Sequence, residues 1–247
     1  MKRHFESPVV VLGARSDIAR AIARRYAEAG CAIVLAARNA ERLSADRDDL
    51  QTRYRVAVST IEFDVTSTAA DAFFQHMAEM PGTLVMVAGL LGDQARSEED
   101  LREADLVMQT NYVGPARYLL AAAQVMQARR GACIIGVSSV AGDRGRASNF
   151  IYGSSKAGFS AFLSGLRNRL TGKGIHVITV KPGFVDTRMT AGMNLPRALT
   201  AQPDEVATAV LKAHSNGSDV VYVRPIWRLI MVVIRLIPEF MFKRLSL

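Results

Sequence analysis

The chain has 247 residues, 49% of them hydrophobic, which is ample for one large α/β core or two small ones. Its two cysteines lack CxxC spacing and its four histidines are scattered, so neither a disulfide framework nor a metal-ligand set is visible. The net charge of +8 is concentrated near the end, where Arg224, Arg228, Arg235, Lys243 and Arg244 face Glu239 alone; this favours an anionic surface over nucleic acid.

Residues 1–8 are polar and lack the build of a secretion signal, so a cytoplasmic protein is expected. Val9 to Leu12 reads as a first strand. Asp17 to Ala29 follows as a helix with Ile18, Ala21, Ile22 and Arg25 at helical spacing, stopped by Gly30. Further strands are predicted at Ala32 to Ala37, Val56 to Phe63, Leu84 to Ala88, Cys133 to Val137, Ile175 to Val180 and Val220 to Val223. Ser154 to Leu170 reads as a helix. Cys31 and Cys133 are expected in the core, His4, His76, His176 and His214 at the surface or strand edges, and Asn216-Gly217-Ser218 in a turn. Strands of continuous Val, Ile and Ala alternating with helices predict one doubly wound, seven-stranded parallel sheet covered by helices on both faces. Residues 1–224 would form this body and 225–247 an apolar, basic extension of it.

After the first strand, Gly13-Ala14-Arg15-Ser16-Asp17-Ile18-Ala19 opens a helix whose free N–H groups can hold a pyrophosphate; an ordinary turn capped by Ser16 or Asp17 is the alternative. The second strand ends in Ala36-Ala37-Arg38-Asn39, without the carboxylate that would take a ribose 2′-hydroxyl. Arg38 and Arg15 suit a 2′-phosphate, making NADP(H) the preferred cofactor and NAD(H) the second option, unless both arginines are simply solvated. Asp64 and Val65 are placed to meet an adenine edge, although an Asp there is also a common turn residue.

Tyr152 and Lys156 are four apart, so a helix puts them on one face, where an ammonium can depress the phenol pKa. Ser139, thirteen residues before Tyr152, can hydrogen-bond the same substrate oxygen, and Asn111 sits in an earlier helix. Together with the first-turn glycine, Thr110-Asn111-Tyr112-Val113-Gly114 and Pro182-Gly183-Phe184-Val185-Asp186-Thr187, these residues resemble the short-chain dehydrogenase/reductase family over nearly the whole chain. The resemblance implies a Rossmann fold and an NAD(P)-dependent oxidoreductase that reduces a carbonyl to a secondary alcohol or the reverse. It implies that Tyr152 moves the hydroxyl proton, Ser139 steadies the substrate oxygen, Lys156 holds the nicotinamide ribose and lowers the tyrosine pKa, and Asn111 anchors a water. It also places Pro182, Gly183, Val185 and Thr187 against the nicotinamide, with Thr187 at its carboxamide. Two departures from the family pattern stand out: Asp17 and Ala19 replace glycines of the cofactor turn, and Val87-Ala88-Gly89 replaces the usual Asn-Ala-Gly, so Ala88 and Gly89 would support the site through backbone groups.

Met189 to Thr200, with Met193, Leu195 and Leu199, reads either as an apolar lid or as a helix packed into the core. Trp227 to Pro238 is too short to span a bilayer and reads either as a basic, apolar helix resting on a membrane or as one buried against the domain or a second subunit. Several segments, including Gly89 to Asp93, Asn149 to Gly158 and the tail, resemble members of the family that reduce a keto-sugar carried on a polyprenyl phosphate, implying a lipid-linked carbonyl substrate. A soluble ketone or alcohol is the alternative substrate, and a non-catalytic NADP-binding scaffold or sensor the alternative of another class. A homodimer or homotetramer is expected, since proteins of this fold commonly associate.

Overall fold

The computed structural model describes residues 5–245. Seven parallel strands, β1 (Val9–Leu12), β2 (Ile33–Ala37), β3 (Val58–Glu62), β4 (Thr83–Met86), β5 (Cys133–Val137), β6 (His176–Lys181) and β7 (Val220–Tyr222), form one sheet in the order β3-β2-β1-β4-β5-β6-β7. The helices are α1 (Asp17–Glu28), α2 (Ser44–Tyr54), α3 (Ala70–Gln75), α4 (Gln94–Glu99), α5 (Leu101–Met108), α6 (Gly114–Met126), α7 (Phe150–Thr171), α8 (Pro203–Asn216), α9 (Ile226–Leu236) and α10 (Glu239–Phe242). This is the doubly wound Rossmann arrangement that the alternation predicts, with strand limits displaced by one or two residues.

Alternate side chains of β1 feed two cores. Val9 and Val11 pack with Ile22, Tyr26, Val206 and Val210 of α1 and α8, whereas Val10 and Leu12 pack with Leu119, Phe159 and Leu163 of α6 and α7. Burial on both faces explains why the inner strands are continuously apolar. Cys31 and Cys133 are buried in the first of these cores. His214 departs from its expected surface place: it is 1% exposed, and its Nδ1 lies 2.8 Å from the Tyr26 hydroxyl. That contact bridges α1 and α8 through groups 188 residues apart, a pairing no local pattern signals. His76 is exposed, His176 opens β6 beside Asp219, and His4 lies outside the described residues. Gly217 ends α8 in a left-handed conformation, giving the expected turn.

The chain reverses winding between β1 and β4, and the carboxyl ends of these strands open a crevice there. The tail folds back beside it. Trp227, Met231 and Phe242 are buried, Trp227 Nε1 donates to the Leu199 carbonyl at 3.1 Å, and Arg144 closes the end of α9 by donating to the Ile234, Arg235 and Ile237 carbonyls. The outer face of α9 exposes Leu229, Val232, Val233 and Leu236. No helix among the described residues is long and apolar enough to cross a membrane.

Candidate active site

A cleft of about 660 Å³ occupies the crevice. Gly13 turns the chain out of β1 with φ +91°, and a Cβ there would lie 2.7 Å from the Ala88 backbone nitrogen, so both its conformation and its neighbour demand glycine. Ser16 caps α1 by accepting from the Ala19 N–H at 3.3 Å, and the first turn lines the cleft with Arg15, Asp17 and Ile18. Asp17 also reaches across to Arg188. Arg38 enters from the end of β2. Asp64 is both the turn residue and the cleft residue expected of it: its carboxylate accepts from the Thr66 N–H and hydroxyl at 2.9 and 2.8 Å, and it lines the wall with Val65. Burial pushes the Asp64 carboxyl up, but the Thr66 hydrogen bonds and the Arg38 charge outweigh it and hold the pKa below its ordinary value.

Deeper in the crevice, Ser139 follows β5 and Tyr152 and Lys156 rise from α7. This helix begins four residues earlier than its apolar period suggests, at Phe150, which brings Tyr152 inside it and puts Tyr152 and Lys156 on one face. Ser139 is hydrogen-bonded to the Tyr152 phenol, and Lys156 Nζ donates to the Val137 carbonyl at 3.2 Å while standing 5.7 Å from the Tyr152 ring. The expected depression of the phenol pKa is not what this arrangement produces. Burial raises the Tyr152 pKa, with Ser139 opposing, and burial also lowers Lys156 to about 8, because dry surroundings disfavour both charged forms.

Asn111 does not line the cleft. A π-turn at Gln109–Val113, between α5 and α6, turns it inward to 0% exposure. Its Nδ2 donates to the Leu90 and Val107 carbonyls at 2.6 and 2.8 Å, and its Oδ1 accepts from the Leu90 N–H at 3.2 Å. Asn111 thus clamps the backbone after β4, where Ala88 and Gly89 border the cleft through main-chain atoms. On the far wall stand Pro182, Gly183, Val185 and Thr187, followed by Met189 and Met193, each about half exposed and facing the cleft, while Leu199 packs on Trp227. The segment after β6 is therefore a lid over the crevice and not a helix in the core.

Several cleft residues carry no sequence signal of their own. Trp227 and Phe184 form an edge-to-face pair 5.3 Å apart behind the lid. Arg146 and Asn149 lie in the loop between Ser139 and Tyr152, whose position between two reactive side chains was the available clue. Arg188 meets Asp17 across 171 residues, beyond any local pattern.

Comparison with known proteins agrees with this geometry. The short chain dehydrogenase family pattern matches residues 7–198. An uncharacterized oxidoreductase of Mycobacterium tuberculosis is 42% identical over 244 residues, covering 97% of each chain. Sulfoacetaldehyde reductase 2 of Chromohalobacter salexigens is 32% identical over 228 residues, covering 84% of this chain and 90% of its own. Among solved structures, a short-chain dehydrogenase from Sphingobium yanoikuyae in complex with NADPH superposes with a TM-score of 0.81 at 25% identity, covering 91% of this chain and 92% of its own.

Proposed function

The chain belongs to the short-chain dehydrogenase/reductase family and is an NAD(P)-dependent oxidoreductase; from that premise we propose that it reduces a ketone to a secondary alcohol with NADP(H), using Tyr152 as the proton donor. The observation that carries this reading is the meeting of Ser139, Tyr152 and Lys156 beside a crevice whose other end suits a dinucleotide. The fit to the cofactor rests on the glycine cradle that a Cβ would fill, the open first turn of α1, and Arg15 and Arg38 at the place of a 2′-phosphate. The solved relative bound to NADPH supports the phosphorylated cofactor, with NAD(H) as the second option.

Bound nicotinamide supplies the hydride. Tyr152, kept protonated at neutral pH by its dry surroundings, donates its phenolic proton to the carbonyl oxygen, and Ser139 steadies that oxygen. Lys156 would hold the nicotinamide ribose through its ammonium, and a pKa lowered to about 8 by burial would let it take part in re-protonating Tyr152. Asn111 holds the strand-four backbone and the helix kink that together anchor a relay water. Pro182, Gly183, Val185 and Thr187, which line one wall of the cleft, would border the nicotinamide, with Thr187 at its carboxamide, and Asp64 and Val65 would border the adenine.

For the substrate, the segment resemblances point to a keto-sugar on a polyprenyl phosphate, as in the mycobacterial decaprenylphosphoryl-2-keto-erythropentose reductase. The apolar lid and the apolar, basic tail, with Leu229, Val232, Val233, Leu236 and Phe240 exposed on it, support that reading, the tail resting on a lipid surface. A small soluble carbonyl is the second reading, favoured by the relative named as a sulfoacetaldehyde reductase.

Titrating purified protein with NADPH and NADH separately, and following nicotinamide fluorescence, tests the core of the proposal. Tight NADPH binding with weaker NADH binding is expected. Binding of neither would mean that the altered glycine turn holds no nucleotide and would favour a scaffold.

A further inference from the structure

Four arginines line the cleft, and three of them are accounted for. Arg15 and Arg38 stand at the nucleotide end, and Arg188 is held by Asp17. Arg146 is different. It lies on the loop between Ser139 and Tyr152, half-buried in the cleft wall, and its guanidinium makes no hydrogen bond or ion pair among the described residues. Its Nε is buried without a partner, and so is the Oδ1 of Asn149, three residues further on at the start of α7. Neighbouring Arg144, by contrast, directs Nη1 at carbonyls of the tail and Nη2 at Glu239.

A guanidinium withdrawn from water without a counter-charge is costly to keep in a folded protein, and burial already lowers the Arg146 pKa. The same partial withdrawal makes it a receptor, since an oxyanion entering an apolar-walled cleft meets paired N–H donors that water screens only in part. Arg146 lies in the chain between Ser139 and Tyr152, the two residues that would handle the carbonyl oxygen, and lines the same cleft as both.

Resting on the reductase reading above, we propose that Arg146 is the subsite for an anionic group of the carbonyl substrate, a carboxylate or a phosphate. The reaction itself is unchanged: hydride adds to the carbonyl carbon, a proton to its oxygen, and NADPH leaves as NADP⁺. The anion fixes which carbonyl compounds lie with their C=O at Tyr152.

The test uses matched ketones with and without the charge: 4-oxopentanoate against 2-pentanone, and dihydroxyacetone phosphate against dihydroxyacetone. Trp227 is the only tryptophan of the chain and lines the same cleft, so its emission reports binding with or without NADPH, beside turnover. The wild type is expected to bind and turn over at least one charged ketone about tenfold or more better than its neutral analogue. The carboxylate arm and the phosphate arm separate the two chemistries. Arg146→Met should collapse that ratio toward one, and Arg146→Lys should restore part of it; Arg146→Gln serves where the methionine variant fails to fold. No advantage for either charged ketone, or an advantage that survives Arg146→Met, overturns the subsite. Failure to bind NADPH overturns the reductase reading instead, while the emission titrations still decide the subsite.

Discussion

Arg188 spans the mouth of the cleft to Asp17: its Nε donates to Oδ1 and its backbone N–H to Oδ2, each at 2.9 Å, and its Nη2 stands 2.8 Å from Oδ1 while also donating to the Arg15 carbonyl. Burial pushes the Asp17 carboxyl up, but Arg188 outweighs it, and the pKa falls below its ordinary 3.8. This contribution is therefore complete above pH 4 or so and is lost as pH drops through the lowered value. It also explains a carboxylate at a position where the family has glycine: the acid is neutralised by the lid that it fastens.

If the pair holds the lid, Asp17→Ala should speed tryptic cleavage after Arg197 several-fold in the absence of cofactor. Arg188→Ala should do the same, and the double variant should be no faster than either single one, as expected of two groups acting as a unit. Mass spectrometry of timed digests reads this directly. Cleavage at the wild-type rate in Asp17→Ala would show that the lid is held by other contacts.

The parts of this molecule legible in the sequence are those fixed by short-range pattern. Continuous apolar strands, Gly13, the spacing of Tyr152 and Lys156, and the turn at Gly217 each carry their cause within a few residues. What was hidden depends on distant partners. The Tyr26–His214 contact, the Asp17–Arg188 fastening and the packing of Trp227 on Gly183 join groups that only the finished fold brings together. The expected lowering of the Tyr152 pKa fails for a related reason, because helical spacing sets its separation from Lys156 but not the dryness around them. Asn111, expected in a helix, falls in the π-turn between α5 and α6, and that turn, which directs it at Leu90, leaves no periodic mark.

Tyr152→Phe should bind NADPH within about twofold of wild type and lose at least about 100-fold in kcat, because it removes the transferable proton and little else. Ser139→Ala should bind cofactor equally well and lose less. Stopped-flow turnover beside fluorescence titration separates the two quantities. A Tyr152→Phe enzyme near the wild-type rate would sink the mechanism.

Arg38→Asp should move cofactor preference toward NADH by about tenfold or more, since it replaces a 2′-phosphate partner by an acceptor for the 2′-hydroxyl. The new carboxylate would stand near Asp64, whose charge Arg38 now offsets, so some loss of affinity for both nucleotides is also expected. An unchanged NADPH to NADH ratio would show that Arg38 is surface charge and that phosphate selection lies elsewhere.

Lys156 should be a cost to stability that activity requires. Its pKa is about 8 when folded against 10.5 for an ordinary lysine, so between those values the unfolded chain holds a proton that the folded chain does not, and stability rises with pH across that window. Lys156→Met, apolar and of similar length, should unfold at higher urea at pH 7, by up to about 3 kcal/mol, and the gain should shrink toward pH 10. Turnover should be lost at both values. A variant less stable than wild type at pH 7 would mean that the bond from Lys156 to the Val137 carbonyl outweighs the cost of burying the charge.

Gly183 and Trp227 should behave as a matched pair. A Cβ on Gly183 would fall 2.0 Å from the indole Cε2, inside any tolerable contact, so Gly183→Ala must push the tail helix away or tilt the loop after β6. A loss of about 1–3 kcal/mol in urea unfolding is expected, as for other overpacked sites. Because Trp227 also donates to the Leu199 carbonyl and backs the lid, substrate KM should rise more than kcat falls. Trp227→Leu, which clears the space, should recover part of the stability when added to Gly183→Ala, measured by circular dichroism. Losses that simply add in the double variant would place the strain in the Gly183 backbone and not in the contact with Trp227.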